Sequence, residues 1–372
     1  MKPTLTIVHT EASVSWGGQG LRILREALWM REHGHHVVII APAHSRLMAE
    51  AQGAGLEAHP LRFAKNMQAV DLLKLVRHLR HLTPDVLNTH SSVDTWVGCL
   101  AGRLCRVPAI IRTRHLGAPV QTHLLNRWLY GALCHHIVTT GEGISRALII
   151  GLRLNHRRVT TISTGIRPPA VWPTPEDARR FFVKQLHLPS TSRFIGCLAV
   201  LRQGKGHAVL LDAFHRLLDK LPHYHLLIIG DGTYRHTLEE FIARRHLQGR
   251  VHLTGYLAEP WNVLRALDVN VLASISIEGT PQALLQAQFA GCPVIGSQSG
   301  GIAEVITHGR TGLLVPQGDV EALRAALWRL LVDRQYAAFL ADNARAYVRQ
   351  HHTLDIMGQK ILAVYRAVLD GR

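Results

Sequence analysis

The sequence is short of acid, of aromatic rings and of long apolar runs. Asp and Glu number 26 against 42 Lys and Arg, which gives a formal net charge of +16 with histidine neutral. That excess implies an anionic partner: a membrane surface, an acidic glycan or nucleic acid. Aromatic residues make up 6%, and no recognition motif or aromatic–basic stripe accompanies the charge, so no nucleic-acid partner is expected. Apolar runs such as Ala147–Leu152 fall far below the roughly 20 residues that span a bilayer. Near the N-terminus, Leu5-Thr6-Ile7-Val8 is strand-sized and leads to Glu11, which does not read as a signal peptide. No CxxC pair occurs among Cys99, Cys105, Cys134, Cys197 and Cys292, so they read as buried reduced thiols of a cytoplasmic protein. An Asp-x-Asp motif is absent too, and no metal site is expected. The 25 histidines fall in no metal-ligand spacing; the pairs His35-His36, His135-His136 and His351-His352 read mainly as surface residues.

What is present is an alternation. With 372 residues, 47% of them hydrophobic and 18% charged, the chain suits two domains of about 150–200 residues. Short apolar runs alternate with amphipathic stretches throughout, the pattern of parallel sheets built from βαβ units. Strands are expected at 5–9, 37–41, 86–89, 109–113 and 136–139, with helices at 20–33 and 70–80. The second of these places Ala69, Leu72, Leu73, Val76 and Leu79 on one face and Lys74, Arg77 and Arg80 opposite, with Arg62 and Lys65 just upstream. A break follows at Thr164-Gly165-Ile166-Arg167-Pro168-Pro169, with Pro173 and Pro175 close behind; prolines exclude regular structure and stiffen a linker. The alternation restarts with strands at 194–201, 225–229, 251–254, 269–273 and 292–297. Helices are expected at 207–219, 281–290, 320–331 with Asp319 as its cap, and 354–369. The expected organisation is therefore α/β: a domain over 1–165, a second over 166–350, and a helix in 351–372 packing back on the first. Residues 1–165 carry 19 Lys and Arg against 9 Asp and Glu, so the first domain is the more basic. In doubly wound sheets, ligands bind at the carboxyl ends of the strands.

Four constellations sit at such ends. The densest is Ser274-Ile-Ser-Ile-Glu278-Gly279-Thr280-Pro281, then Gln286, Gly291-Cys292-Pro293-Val294-Ile295 and Gly300-Gly301. A strand ends, a glycine frees the backbone and a helix starts at once, which suits a phosphate; Glu278 can accept hydrogen bonds from sugar hydroxyls. Read by its residues alone, the same stretch also fits a buried turn with an incidental glutamate. Second, Arg202-Gln203-Gly204-Lys205-Gly206-His207 puts two cations where a strand gives way to a helix, able to neutralise a diphosphate; a solvated basic turn reads the same. Third, Trp16-Gly17-Gly18-Gln19 opens the first helix. Fourth, Ile111-Arg-Thr-Arg-His115 and Asn88-Thr-His90-Ser91 end two strands of the first domain. Each histidine alone is more often structural, and it is their pairing at strand ends that points to a site.

These residues resemble the retaining GT-B glycosyltransferases of family four, over almost the whole chain and most densely across 194–331. The resemblance implies two Rossmann-like domains facing a cleft and transfer of a sugar from a nucleotide-diphosphate sugar (UDP- or GDP-linked) with retention. It implies no cofactor, and a glycan or lipid-linked acceptor in cell-envelope polysaccharide or lipopolysaccharide synthesis. It places Glu278, Lys205, Arg202 and His115 at the reacting centre. Gly17, Gly18, Gly232, Gly279, Thr280, Pro281 and Gln286 fall on the donor, and His90 and Ser91 on the acceptor side. Two positions depart from the pattern. Gln286 stands where the family has a second glutamate for the ribose hydroxyls, and Val200 stands where it has an arginine. Arg202 lies two residues on, and residues two apart on a strand share a face, so Arg202 is expected to substitute. These departures keep open a non-catalytic nucleotide-sugar-binding protein. Gly230-Asp231-Gly232 and His308–Val315 match recurring family turns and read as scaffold. The expected setting is cytoplasmic, peripheral on an anionic membrane face.

Overall fold

The computed structural model describes residues 4–64, 68–115, 120–257 and 259–371; Lys65, part of the expected basic patch, lies outside them. The chain divides into two compact units, 1–165 with 354–372, and 166–353.

In the first unit seven parallel strands form one sheet. They are β1 (Thr6–Thr10), β2 (His36–Ala41), β3 (Glu57–Pro60), β4 (Val86–Thr89), β5 (Ala109–Arg114), β6 (His136–Thr139) and β7 (Val159–Thr161), in the order β3-β2-β1-β4-β5-β6-β7. Central strands such as β2 (His-Val-Val-Ile-Ile-Ala) are buried from their second residue to their last, as strands covered on both faces must be. One face packs against Ile23, Trp29 and Met30 of the helix Gly18–Glu32 and against Met357, Ile361 and Tyr365 of the helix Leu354–Asp370. Trp29 Nε1 donates to Asp355 Oδ1 at 2.8 Å, tying the two helices. The other face receives Leu75, Leu79, Val97, Tyr130, Ile144 and Leu148. Full burial of one such large apolar side chain contributes roughly 2–3 kcal/mol.

The second unit repeats the plan with six parallel strands. These are β8 (Arg193–Leu198), β9 (Tyr224–Ile229), β10 (Val251–Gly255), β11 (Leu267–Leu272), β12 (Val294–Ser297) and β13 (Leu313–Val315), ordered β10-β9-β8-β11-β12-β13. Its helices start on side-chain caps where the sequence supplies them. Thr174 accepts from Asp177 N, with Pro175 at the first helical position, and Asp319 accepts from Ala322 N at 2.9 Å. In each sheet the winding reverses once, between β1 and β4 and between β8 and β11. The carboxyl ends flanking such a reversal are where open α/β sheets bind ligands.

Several local expectations shift. The helix from His207 stops at His215. In the helix Gln68–Leu82, Lys74, Arg77 and Arg80 are exposed as expected, but the buried stripe is Asp71, Leu75, Val76 and Leu79, while Leu73 is 72% exposed. Asp71 fixes that phase: its Oδ2 accepts the Ala64 amide at 2.7 Å, turning the carboxylate inward. The paired histidines are not all surface residues. His35 and His352 are buried, and His35 Nδ1 accepts the Leu5 amide at 3.1 Å. All five cysteines are free thiols, and Cys105 is half-buried rather than buried.

Candidate active site

In the second unit the two predicted constellations converge. Strand β8 ends at Leu198, so Val200 and Arg202 lie beyond it. The Ala199 and Leu201 amides donate to Ile229 O and Asp231 O, each at 3.0 Å, and the Arg202 amide donates to Val200 O at 2.9 Å. The shared-face argument for Arg202 therefore fails: a tight turn, not a strand, separates it from Val200, and it stands exposed. One 3-10 turn, Gln203–Lys205, then leads to Gly206 at φ 72°. A Cβ on Gly206 would lie 1.7 Å from Ala273 O, so this loop reaches the end of β11 because the residue is glycine. The Ile275 amide closes the contact by donating to Gly204 O at 2.9 Å.

That closure delivers Lys205 to Glu278. Nζ lies 2.8 Å from Oε1 and 2.7 Å from Oε2, and Ser274 Oγ donates to Oε1 at 2.6 Å. Gly300 and Gly301 complete the cradle. The Gly301 amide donates to Glu278 O at 2.9 Å, and a Cβ on Gly301 would meet Gly279 O at 2.3 Å. Ser297 Oγ adds a bond to Ser274 O at 2.6 Å. Thr280 and Pro281 thus lead into the helix Gln282–Ala290, whose N-terminus adjoins the ion pair. Gln286 is buried on that helix, and Gly232 packs against Leu201. An uncharged amide at 286 can both donate and accept.

In the first unit the site is made of side chains. His9 is on β1, while His90 and His115 lie one residue past β4 and β5; these three strands are neighbours in the sheet. His9 Nδ1 lies 2.9 Å from His90 Nε2, and His90 Nδ1 lies 2.9 Å from His115 Nε2. All three rings are buried, and burial pushes each imidazole below its ordinary pKa. They are therefore neutral, with one donor and one acceptor nitrogen apiece, so the two bonds must run head to tail. His9 Nε2 has no hydrogen-bond partner among the described residues.

Two carboxylates flank this chain. Asp94 accepts from Thr10 Oγ1 at 2.8 Å, from the His90 amide at 2.9 Å and from the Ser91 amide at 2.8 Å. Glu11 accepts from the Ser13 amide at 2.7 Å and from Gln19. Burial, with repulsion from Asp94, raises Glu11 to about 7, and burial raises Asp94. Beneath lies a buried network in which Thr113 Oγ1 donates to Asn88 Oδ1, Asn88 Nδ2 to the Tyr365 hydroxyl, and Tyr365 to Glu26 (2.9, 2.7 and 2.8 Å). Gly17 caps the helix Gly18–Glu32, which has no acid in its first turn, and a Cβ on Gly17 would meet nothing within 4 Å. A cavity of about 640 Å³ opens here, lined in part by His90, Ser91, His115, Arg112, Arg114 and Trp96.

Of the expected residues, Lys205, Glu278, Gly279 and Gly301 meet directly, and so do His90 and His115. His9, Glu11, Asp94 and the two arginines were not singled out by sequence. The alternation Arg112-x-Arg114 on a strand was the available signal. Among the described residues no group of three or more His, Cys, Asp and Glu is arranged to hold a metal ion, and no helix is long and apolar enough to cross a membrane.

Comparison with known proteins matches both units. The model of the glycosyl transferases group 1 covers residues 178–347, and that of glycosyltransferase family 4 covers 16–168. The chain is 31% identical over 202 residues (52% of each chain) to the GDP-mannose-dependent monoacylated alpha-(1-6)-phosphatidylinositol monomannoside mannosyltransferase of Corynebacterium glutamicum. It is 28% identical over 193 residues to the lipopolysaccharide core biosynthesis mannosyltransferase LpsB of Rhizobium meliloti, covering 50% of this chain and 55% of that one. The chain thus spans about half the length of these curated relatives. In fold it resembles Anabaena HepE, solved with UDP and glucose, at a TM-score of 0.86 and 20% identity, over 97% of this chain and 99% of that chain.

Proposed function

The chain belongs to the glycosyl transferases of group 1, with the two doubly wound domains of the GT-B fold, and from that premise we propose that it transfers a sugar with retention from a nucleotide-diphosphate sugar to a glycan or lipid-linked acceptor. The observation that carries this reading is the two-pronged contact of Lys205 with Glu278 beside the N-terminus of the helix Gln282–Ala290. A cation, a sugar-binding carboxylate and a positive helix end together suit a glycosyl diphosphate.

The roles follow. Lys205 and Arg202, with the backbone near Gly279 and Thr280, hold the diphosphate, and Glu278 accepts from the sugar hydroxyls. As the bond from the anomeric carbon to the phosphate oxygen breaks, its electron pair leaves with the nucleoside diphosphate. The acceptor oxygen attacks from the same face and its proton passes to the departing phosphate. Lys205 stabilises the charge that develops there, the work a metal does in other transferases. Gln286 holds the ribose hydroxyls, Pro281 sets the start of the helix above them, and Gly232 lets the nucleotide approach. The family resemblance assigns Gly17 and Gly18 of the first unit to the diphosphate and donor sugar, His115 to that sugar, and His90 with Ser91 to the acceptor. The relatives' names include GDP-mannose and the fold neighbour holds UDP, which supports a donor from one of these two classes. Two relatives act on phosphatidylinositol mannosides and the lipopolysaccharide core, which supports an envelope acceptor. The exposed Lys74, Arg77 and Arg80 suit an anionic membrane face at the cytoplasmic side, each contributing about 1 kcal/mol near such a surface.

The test is nucleotide release from UDP-, GDP- and ADP-sugars without acceptor, in EDTA, with thermal shift alongside. One donor is expected to stabilise the protein and to be slowly hydrolysed, and Lys205→Ala is expected to lower release about 100-fold or more. Near-normal release in Lys205→Ala would sink the scheme. Gln286 in place of the family's glutamate favours one second reading, a non-catalytic nucleotide-sugar binder; tight binding with no turnover on any acceptor would select it.

A further inference from the structure

The helix Leu124–Trp128, in the connection from β5 to β6, has no buried residue and no part in the donor chemistry. Its apolar side chains face outward: Leu124 is 78%, Leu125 62% and Trp128 47% exposed. Ile150, 77% exposed on the helix Glu142–Leu152, adjoins them, since a Cβ on its neighbour Gly151 would lie 3.3 Å from Thr122 Cγ2. Leaving such side chains together in water is unfavourable, and a contiguous apolar patch marks a surface that another body covers. The surrounding charge favours one occupant. Between Asp94 and Gly165 the chain has nine arginines, no lysine and one acid, Glu142. Arg146 lies one turn before Ile150 and Arg153 one turn after it, both exposed. The helix Gln68–Leu82, which exposes Lys74, Arg77 and Arg80, shares a core layer with these segments: its Leu75 and Leu79 pack in one cluster with Leu129 and Leu148. Its cations therefore point away from the sheet on the same side as the apolar patch. Leu125 also lines the 640 Å³ cavity, so the patch runs up to the cavity mouth.

We propose that Leu124, Leu125, Trp128 and Ile150 enter the boundary between headgroups and acyl chains of an anionic lipid bilayer, with Arg146 and Arg153 among the lipid phosphates. A tryptophan suits that depth, because its ring is apolar and its indole N–H finds a partner among the headgroups. A short apolar element flanked by cations lies in the interface rather than across it. A second copy of the chain fits less well, since it would bring the same arginines against each other, whereas anionic lipid neutralises them. The proposal deepens the membrane reading above and rests on it. Lys74, Arg77 and Arg80 supply attraction at a distance; the four apolar side chains supply depth, and through Leu125 they set the cavity mouth at the level of the lipid.

Flotation of the full chain with vesicles of equal parts phosphatidylcholine and phosphatidylglycerol tests it, alongside the same vesicles with brominated acyl chains. The parent is expected to bind at low salt, at least tenfold tighter than to phosphatidylcholine alone, and the bromines to quench part of its tryptophan emission. Trp128→Phe is expected to bind within about threefold of the parent, because the ring stays apolar, and to lose most of that quenching. Leu124→Ser combined with Ile150→Ser is expected to bind at least tenfold more weakly, with the melting temperature unchanged. Unaltered vesicle binding in this double variant would overturn the proposal; the membrane reading would survive it if Lys74→Gln with Arg77→Gln then abolished binding. Quenching that persists in Trp128→Phe would overturn it as well, by putting another tryptophan in the lipid. No binding of the parent would overturn both readings, and a dimer that the double variant dissolves would then assign the patch to a second copy. Vesicle binding needs no donor, so the transferase reading can fail while this surface stands.

Discussion

The two units solve the same problem with different materials. In the second, the site is built by the backbone: Gly206, Gly300 and Gly301 lie against the carbonyl oxygens of Ala273, Glu278 and Gly279, so that three loops meet closely, and one ion pair sits where they meet. In the first it is built by side chains: three imidazoles, two guanidinium groups and two carboxylates project from the ends of β1, β4 and β5 or just beyond them. A backbone site is intolerant of any added atom. A side-chain site tolerates small changes of shape and responds to protons.

The largest effect should come from exchanging one glycine of each kind. Gly206→Ala must find room for a carbon 1.7 Å from Ala273 O at a φ of 72°, so the loop or the end of β11 has to move. A loss of about 4 kcal/mol or more is expected, read as a fall in the urea midpoint. Gly17→Ala meets open space in extended backbone and should cost about 1 kcal/mol or less, the preference for glycine over alanine at a helix N-cap. Comparable losses at both positions would erase the contrast.

The next effect belongs to the first unit. Glu11 takes up its proton in the folded state at about 7 rather than at 4.5. Between those values the folded chain holds a proton that the unfolded chain has released. This contribution to stability is therefore present below pH 4.5, falls as pH rises to about 7 and is constant beyond. The three histidines act in the opposite sense: held neutral by burial, they lose stability as pH drops below 6.5. Glu11→Gln cannot titrate. Its stability relative to the parent should rise from pH 4.5 to 7 by no more than about 3 kcal/mol, seen in chemical melts at closely spaced pH. A pH-independent difference would mean that Glu11 is ionised throughout.

The same contrast explains what the sequence could tell. Gly206 and the Gly300-Gly301 pair were legible because only glycine fits where each stands, so the residue type itself reports the geometry, and Glu278 from its place past a strand end and before Gly279. His9, His90 and His115 are 81 and 25 residues apart, and their meeting depends on the strand order β1-β4-β5, which no local pattern encodes. Long central strands were readable from their apolar runs. The edge strands β3 and β7 were missed: β3 (Glu57–Pro60) has no buried residue and ends in proline, and β7 is three half-buried residues long. Arg202 was misplaced because alternation was carried past the end of β8 into a turn.

The smallest effect distinguishes a relay from mere packing. The chain of neutral imidazoles can run in either of two directions. If His9 donates to His90, then His90 donates to His115, and His115 presents Nδ1–H outward; reversed, Nδ1 presents a lone pair. His9 does not line the cavity, yet it takes part in that choice, which makes it a positioning residue for His115. His9→Phe keeps the bulk of the ring and removes the bond. If the direction of the chain matters to the reaction, kcat should fall about tenfold, the worth of roughly one hydrogen bond, while KM for the donor stays within about twofold. His9→Asn, whose amide lies near the position of Nδ1, should recover most of that loss. If the histidines only fill space, the phenylalanine variant will keep its kcat and change the melting temperature alone, because a buried ring has been replaced by another of similar volume.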